Sequence, residues 1–180
     1  MIIEPTPLHG VMIIRPEPLT DDRGAFARVF CADVLEANGL DPTIVQINVS
    51  VNARAGTVRG LHYQLSPHGE AKILRATRGE VYDVAVDLRP ASPTRGQWFG
   101  ARLGERDRTA LYVPPGCANG YQALTDDAEV VYSVSAPYAP EHERGLRHDD
   151  PSLGIGWPLP VTSVSPKDAS WPLLSEATST

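Results

Sequence analysis

Hydrophobic and polar residues alternate with a period of two over short runs, and the runs are separated by clusters of Gly, Pro, Asn and Asp. That pattern predicts an all-β sandwich or barrel. The runs fall at residues 11–15, 44–51, 58–64, 71–76, 80–88, 110–113 and 129–135. In EVYDVAVDL, Tyr82, Val84, Val86 and Leu88 share one face and Val81, Asp83, Ala85 and Asp87 the other, so one face is expected to pack while the other holds acids. Arg78-Gly79 before it reads as the turn of a hairpin from residues 72–76. Helix is scarce: the one convincing segment, CADVLEANGL, predicts a helix over residues 31–38 that stops at Gly39. No repeat, linker or composition break divides the chain, which predicts a single domain over residues 1–180 with a frayed tail from about residue 175.

Composition narrows the function classes. A hydrophobic fraction of 42% and a charged fraction of 21% are those of an ordinary globular protein, and 17 Pro and 15 Gly fit many turns. A net charge of -6 argues against nucleic acid or an anionic membrane as partner, so an anionic ligand must be met by a local group of cations. Cys31 and Cys117 form no CxxC or regular spacing, which suggests neither zinc nor a disulfide and fits a reducing compartment. The first residues show no secretory pattern, and no run approaches the ~18 apolar residues of a membrane span. The expected location is the cytoplasm.

The densest chemistry lies in VRGLHYQLSPHGEAKILR, where Arg59, His62, Lys72 and Arg75 occupy two adjacent predicted strands and suggest a site for an anion and a carbonyl. Strict alternation sends Arg59 and His62 to opposite faces, but Gly60 between them permits a bulge that aims both into one cavity. Taken alone, His62 reads first as a satisfied core histidine. A metal-binding barrel would need a second imidazole two positions after His62, where Gln64 stands, and a third in the later turn PPGCANGY, which offers Asn119. No metal is expected.

Extensive segments of the chain resemble the dTDP-4-dehydrorhamnose 3,5-epimerase family. They are DDRGAF (21–26), QINVS (46–50), GTVRGLHYQ (56–64), AKILR (71–75), GEVYDVAVDLR (79–89), SPTRGQW (92–98), YVPPGCANGY (112–121), Tyr132, PYAPEHERGLRHDDPSLGIGWPL (137–159) and SPKD (165–168). The resemblance implies a cupin-type jelly-roll β-barrel with a few short helices, a homodimer, no cofactor, and a nucleotide-sugar substrate, with a dTDP-sugar favoured. It implies His62 as the base, Asp168 as its hydrogen-bonding orienter, Tyr132 as the acid on the far face, and Lys72 as the stabiliser of the oxyanion. A hydrogen beside a sugar C4 ketone is acidic because the carbanion delocalises into an enolate, and a base, an opposed acid and a cation are what its removal and return require. For binding, the resemblance puts Arg23 and Arg59 on the diphosphate, Gln46 and Asn48 on the nucleotide, Tyr138 against the base, and Glu143 and Lys167 at the rim. Asp83 is a second acid near the pocket, with a plain structural role an equal alternative. By pattern alone, Tyr132 is a wall-filling aromatic, Lys72 a strand-end lysine, and Glu143 and Lys167 are loop charges.

Three positions, in two segments, depart from the family pattern. Asn119 and Tyr121 stand where a substrate-contacting His and a Phe are usual; an amide can still donate a hydrogen bond but carries no charge, so epimerisation at C3 alone becomes an option. Arg28 stands where a nucleotide-contacting Glu is usual, which implies either a base other than thymine or a contact to the phosphates. The reading is therefore an isomerase that epimerises an NDP-4-keto-6-deoxyhexose at C3, C5 or both. An NDP-sugar 3,4-ketoisomerase and a catalytically silent sugar-nucleotide binder are its rivals.

Overall fold

The computed structural model describes residues 1–177. Two antiparallel sheets face each other in a jelly roll. One has six strands in the order β1 (Ile2–Pro5), β2 (Met12–Arg15), β10 (Ala110–Val113), β7 (Lys72–Arg78), β12 (Ala128–Val134) and β5 (Gln46–Asn52). The other has five, in the order β13 (Glu143–Gly145), β6 (Val58–Gln64), β11 (Cys117–Ala123), β8 (Glu80–Asp87) and β9 (Trp98–Gly104). A separate exposed hairpin pairs β3 (Leu19–Asp21) with β4 (Gly24–Phe26).

Alternation sorts the side chains into three apolar clusters. Between the sheets lie Val11, Ile13, Leu74, Ala76, Val81, Ala85, Leu103, Leu111, Ala123 and Val130. Outside the six-stranded sheet, Ile14, Ala110 and Tyr112 meet Leu35 of α1 (Ala32–Ala37) and Leu40. Outside the five-stranded sheet, Leu61, Val84, Val86 and Ala118 are covered by Leu146, Leu153 and Trp157. Each fully buried Leu or Val side chain is worth roughly 1.5–3 kcal/mol relative to exposure.

The helix expected at 31–38 is α1, with Gly39 beyond its end at φ +71°, the left-handed conformation that closes a helix. Two short helices follow, α2 (Pro166–Ala169) and α3 (Leu174–Ala177). Part of the expected frayed tail is therefore α3, whose Leu174 amide donates to Asp150 Oδ2 at 2.6 Å, and residues 178–180 lie outside the described residues. Among the described residues, no helix is long and apolar enough to cross a membrane.

Three local expectations are corrected. Arg78-Gly79 does not close a hairpin: β7 pairs with β10 and β12, β8 with β11 and β9, and Gly79 turns the chain from one sheet into the other. β8 packs on both faces, because it lies inside its sheet with one side in the barrel and the other under the segment that carries Leu146–Leu153. PPGCANGY is a turn only up to Gly116, after which every residue of β11 is buried in the sheet.

At one end of the barrel the inward residues stop being apolar. β5 points Gln46, Asn48, Ser50 and Asn52 toward the interior, while β6, β7, β11 and β12 add Arg59, His62, Lys72, Asn119 and Tyr132. A polar cavity opens there.

Candidate active site

His62 reaches this cavity because of Gly60. In the β6–β11 pair, His62 sits opposite Asn119 and Arg59 opposite Tyr121, so two residues of β6, Gly60 and Leu61, face one of β11, Gly120. The extra residue is Gly60, at φ +102°, and a Cβ there would stand 2.6 Å from the Gly120 Cα. The expected bulge is present: Arg59 and His62 both line the cavity, and Leu61 points into the outer cluster.

The cavity measures about 560 Å³ and is lined by Arg59, His62, Lys72, Asn119, Tyr121, Tyr132, Lys167 and Asp168, among others. His62, Lys72 and Tyr132 also line an adjoining lobe of about 300 Å³ with Gln46, Asn48, Tyr138 and Glu143. His62 on β6 and Tyr132 on β12 come from opposite sheets and thus face the space from opposite walls.

His62 Nε2 lies 2.6 Å from Asp168 Oδ1. The local sequence explains the placing of Asp168. In SPKD, Ser165 caps α2 by accepting the Asp168 amide at 3.0 Å, and Pro166 occupies the first turn, where its missing N–H is harmless. Asp168 is 4% exposed, and its Oδ2 takes the Gly60 amide at 3.3 Å. Burial works to raise its pKa, but the His62 hydrogen bond and charge, the Gly60 amide and Ser165 outweigh it and hold the carboxyl below its ordinary range. An ionised Asp168 fixes one ring nitrogen of His62 as a donor and leaves the other to accept a proton.

Burial, reinforced by Tyr121, Glu143 and Glu70 and opposed by Arg59, raises the pKa of Tyr132, which keeps its phenol protonated at neutral pH. Lys72 Nζ stands 3.1 Å from Glu70 Oε1 and donates to the His62 carbonyl at 3.2 Å, which anchors a cation between the two walls. Arg59 is steered into place by Asn52 Oδ1 at 2.8 Å. At the rim, Tyr138 and Lys167 both donate to Glu143 Oε2 at 2.6 Å. Lys167 Nζ also lies 5.7 Å from the centre of the Trp171 ring, whose edge faces His62 at 6.2 Å between centroids.

Asp83 is buried behind Asn119. Its Oδ1 accepts from Asn119 Nδ2 at 2.8 Å and its Oδ2 has no partner among the described residues. Burial pushes its pKa up to about 7 despite the Asn119 hydrogen bond and the nearby Lys72 charge. Asn119 donates again to the Val84 carbonyl at 3.1 Å, so both its N–H bonds are used within the protein. The expected amide donor to a substrate is therefore absent. Tyr121 likewise turns its hydroxyl to Ser50 Oγ at 2.8 Å.

Three sequence candidates lie elsewhere. Arg75 is on the opposite face of β7 from Lys72, because three positions along a strand invert the side chain. Arg23 lies on the exposed β3–β4 hairpin, paired to Asp21, with its side chain 90% exposed. Arg28 points at Cys31 Sγ, 3.9 Å away, outside both lobes. Trp171, Glu70 and Asn52 were missed, although the polar alternation Gln46, Asn48, Ser50 and Asn52 was legible in QINVSVN. Among the described residues, no three His, Cys, Asp or Glu side chains gather as metal ligands.

The family model described as dTDP-4-dehydrorhamnose 3,5-epimerase matches residues 5–176. A dTDP-4-dehydrorhamnose 3,5-epimerase of Sinorhizobium fredii is 45% identical over 177 residues, covering 98% of this chain and 91% of the relative. A dTDP-4-dehydrorhamnose 3-epimerase of Streptomyces niveus is 41% identical over 98% of this chain and 86% of its own. The crystal structure of the Bacillus anthracis 3,5-epimerase with TDP and PPi bound superposes with a TM-score of 0.92 at 38% identity, over 96% of this chain and 99% of that one.

Proposed function

The chain belongs to the dTDP-4-dehydrorhamnose 3,5-epimerase family, and from that membership we propose that it is an isomerase that inverts C3, or C3 and C5, of a dTDP-4-keto-6-deoxyhexose. The observation that carries the reading is the His62–Asp168 contact of 2.6 Å facing Tyr132 across the cavity.

His62, oriented by Asp168, takes the hydrogen beside the C4 ketone. The C–H electron pair moves into the ring C–C bond and the carbonyl π electrons onto oxygen, where the Lys72 ammonium offsets the charge. The Tyr132 phenol then gives its proton to carbon from the opposite face and the ketone re-forms; exchange with water takes the extra proton from His62 and returns one to the Tyr132 phenolate. A raised phenol pKa fits an acid that is protonated before the step. Arg59 and Lys167 supply the positive charge for the diphosphate, and Gln46, Asn48 and Tyr138 line the lobe for the nucleoside.

A homodimer completes the assignment. On β5, an edge strand, the face turned away from the cavity carries Ile47, Val49 and Val51 at 63%, 62% and 50% exposure, an apolar stripe that a second copy would cover. The β3–β4 hairpin then serves the partner's cavity, which accounts for Arg23 standing free of its own. The cytoplasm is the matching compartment for a nucleotide-sugar enzyme with two free cysteines.

The test is proton NMR of dTDP-4-keto-6-deoxyglucose in deuterated water. Wild-type protein is expected to erase the C3 or C5 proton signal, and His62→Ala to leave both. No exchange by the wild type, with the nucleotide still bound, would sink the enzymatic reading in favour of a silent binder. Loss of the C3 signal alone favours the C3-only reading, which the uncharged Asn119 supports.

A further inference from the structure

Asn119 is 5% exposed and lines the cavity. The direction of its amide is set by Val84: a backbone carbonyl can only accept, so the nitrogen end must face it, and the same nitrogen gives its second hydrogen to Asp83 Oδ1. Both donors are consumed. Both hydrogen bonds of the Asn119 side chain among the described residues are made by its nitrogen, so the amide oxygen is left as the polar atom that Asn119 offers to the cavity. It is an acceptor fixed in place by two hydrogen bonds and by its position in the middle of β11.

An acceptor in a cavity wall with no protein donor asks for one from the ligand. Resting on the epimerase reading, the sugar of an NDP-4-keto-6-deoxyhexose has only two hydroxyls, on C2 and C3. The hydroxyl on C3 changes orientation during the reaction, whereas the one on C2 keeps its configuration in substrate, enolate and product. A rigid acceptor that serves all three matches the second. We propose that Asn119 Oδ1 accepts a hydrogen bond from the C2 hydroxyl, and that this contact makes the enzyme select 2-hydroxy sugars against 2-deoxy sugars. Asp83 acts behind it as a positioning residue, by holding the amide in this orientation.

The discrimination is asymmetric by nature. A site that expects a donor loses both the hydrogen bond and the hydration of the acceptor when the donor is missing, which is worth roughly five- to fiftyfold in affinity. Without the acceptor, the hydroxyl and its absence are nearly equivalent.

The probe is dTDP-6-deoxyglucose, which lacks the ketone and cannot enolise, together with its 2-deoxy and 3-deoxy counterparts. Their dissociation constants are measured by calorimetry with the wild type and with Asn119→Ala. The expected result is a five- to fiftyfold penalty for the 2-deoxy sugar in the wild type that shrinks to under threefold in the variant, with the 3-deoxy penalty unchanged between the two. In the wild type alone, equal binding of the 2-deoxy and parent sugars overturns the proposal even if the variant does not fold. A variant-sensitive penalty on the 3-deoxy sugar instead overturns the assignment to C2. If the wild type binds none of the three, the epimerase reading itself fails and the proposal with it, whereas deuterium exchange with the 4-keto sugar and no 2-deoxy penalty removes the proposal and leaves that reading standing.

Discussion

In the proposed reaction His62 and Tyr132 divide one proton-transfer cycle between opposite walls, and this division predicts a separable defect. In Tyr132→Phe, His62 can still remove a proton and return deuterium to the same face, so NMR is expected to show exchange while epimer formation falls by roughly 10²–10⁴-fold. Equal loss of exchange and inversion would remove Tyr132 from its role as the second acid. Asp83 predicts an effect on stability. Its folded pKa of about 7 lies above the 3.8 of a free Asp, so between these values the folded state binds more protons than the unfolded one. The group therefore takes stability away as pH rises from about 4 to about 7, after which its contribution is flat. Asp83→Asn removes this slope, and urea unfolding at pH 5 and pH 8 is expected to show the variant gaining on the wild type at the higher pH. Arg28 could be singled out in the sequence as a departure, but its side chain direction could not.

Single turns and strands decide what these residues can reach. The β6 bulge was legible because a glycine lay between two residues that needed the same face, and the structure places Gly60 there at φ +102°. A Cβ at this position would sit 2.6 Å from one backbone atom and 2.7 Å from another, neither of which can rotate away. Gly60→Ala is accordingly expected to lower stability by about 2 kcal/mol or more in chemical denaturation, and to cut turnover by moving His62 off Asp168. α2 was legible in principle: Ser, Pro and Asp in SPKD are cap, first-turn and third-position residues. What a four-residue helix does not reveal is that its Asp lies across the barrel mouth from a strand 106 residues earlier in the chain. The supposed hairpin at Arg78-Gly79 failed for a related reason. A glycine turn between two strands looks alike whether the strands pair or part into different sheets, since the choice is made by β10, β12, β9 and β11 far away in sequence.

Across the whole molecule, the exposed stripe of Ile47, Val49 and Val51 predicts how the protein assembles. Val49→Asp is expected to convert a dimer to a monomer in sedimentation velocity and to weaken nucleotide binding, since the partner's Arg23 would no longer be delivered; a dimer that survives the charge would place the interface elsewhere. The β5 sequence QINVSVN announces its alternation, but which of its faces meets water was not decidable from the pattern. The usual expectation puts the apolar face inward, and here the polar face lines the cavity. The sequence by itself determined the all-β class, the one substantial helix, the glycine that permits the β6 bulge and the residue types of the candidate site, because these follow from local periodicity, turn chemistry and motifs that lie close along the chain. Only the tertiary structure decided that Lys72 enters the cavity while Arg75 leaves it, that Arg23 stays outside, that Asp83 loses its solvent, and that Asn119 spends both its amide hydrogens on Asp83 and Val84. Each of these depends on which strand lies opposite, and long-range pairing carries no mark in the local sequence.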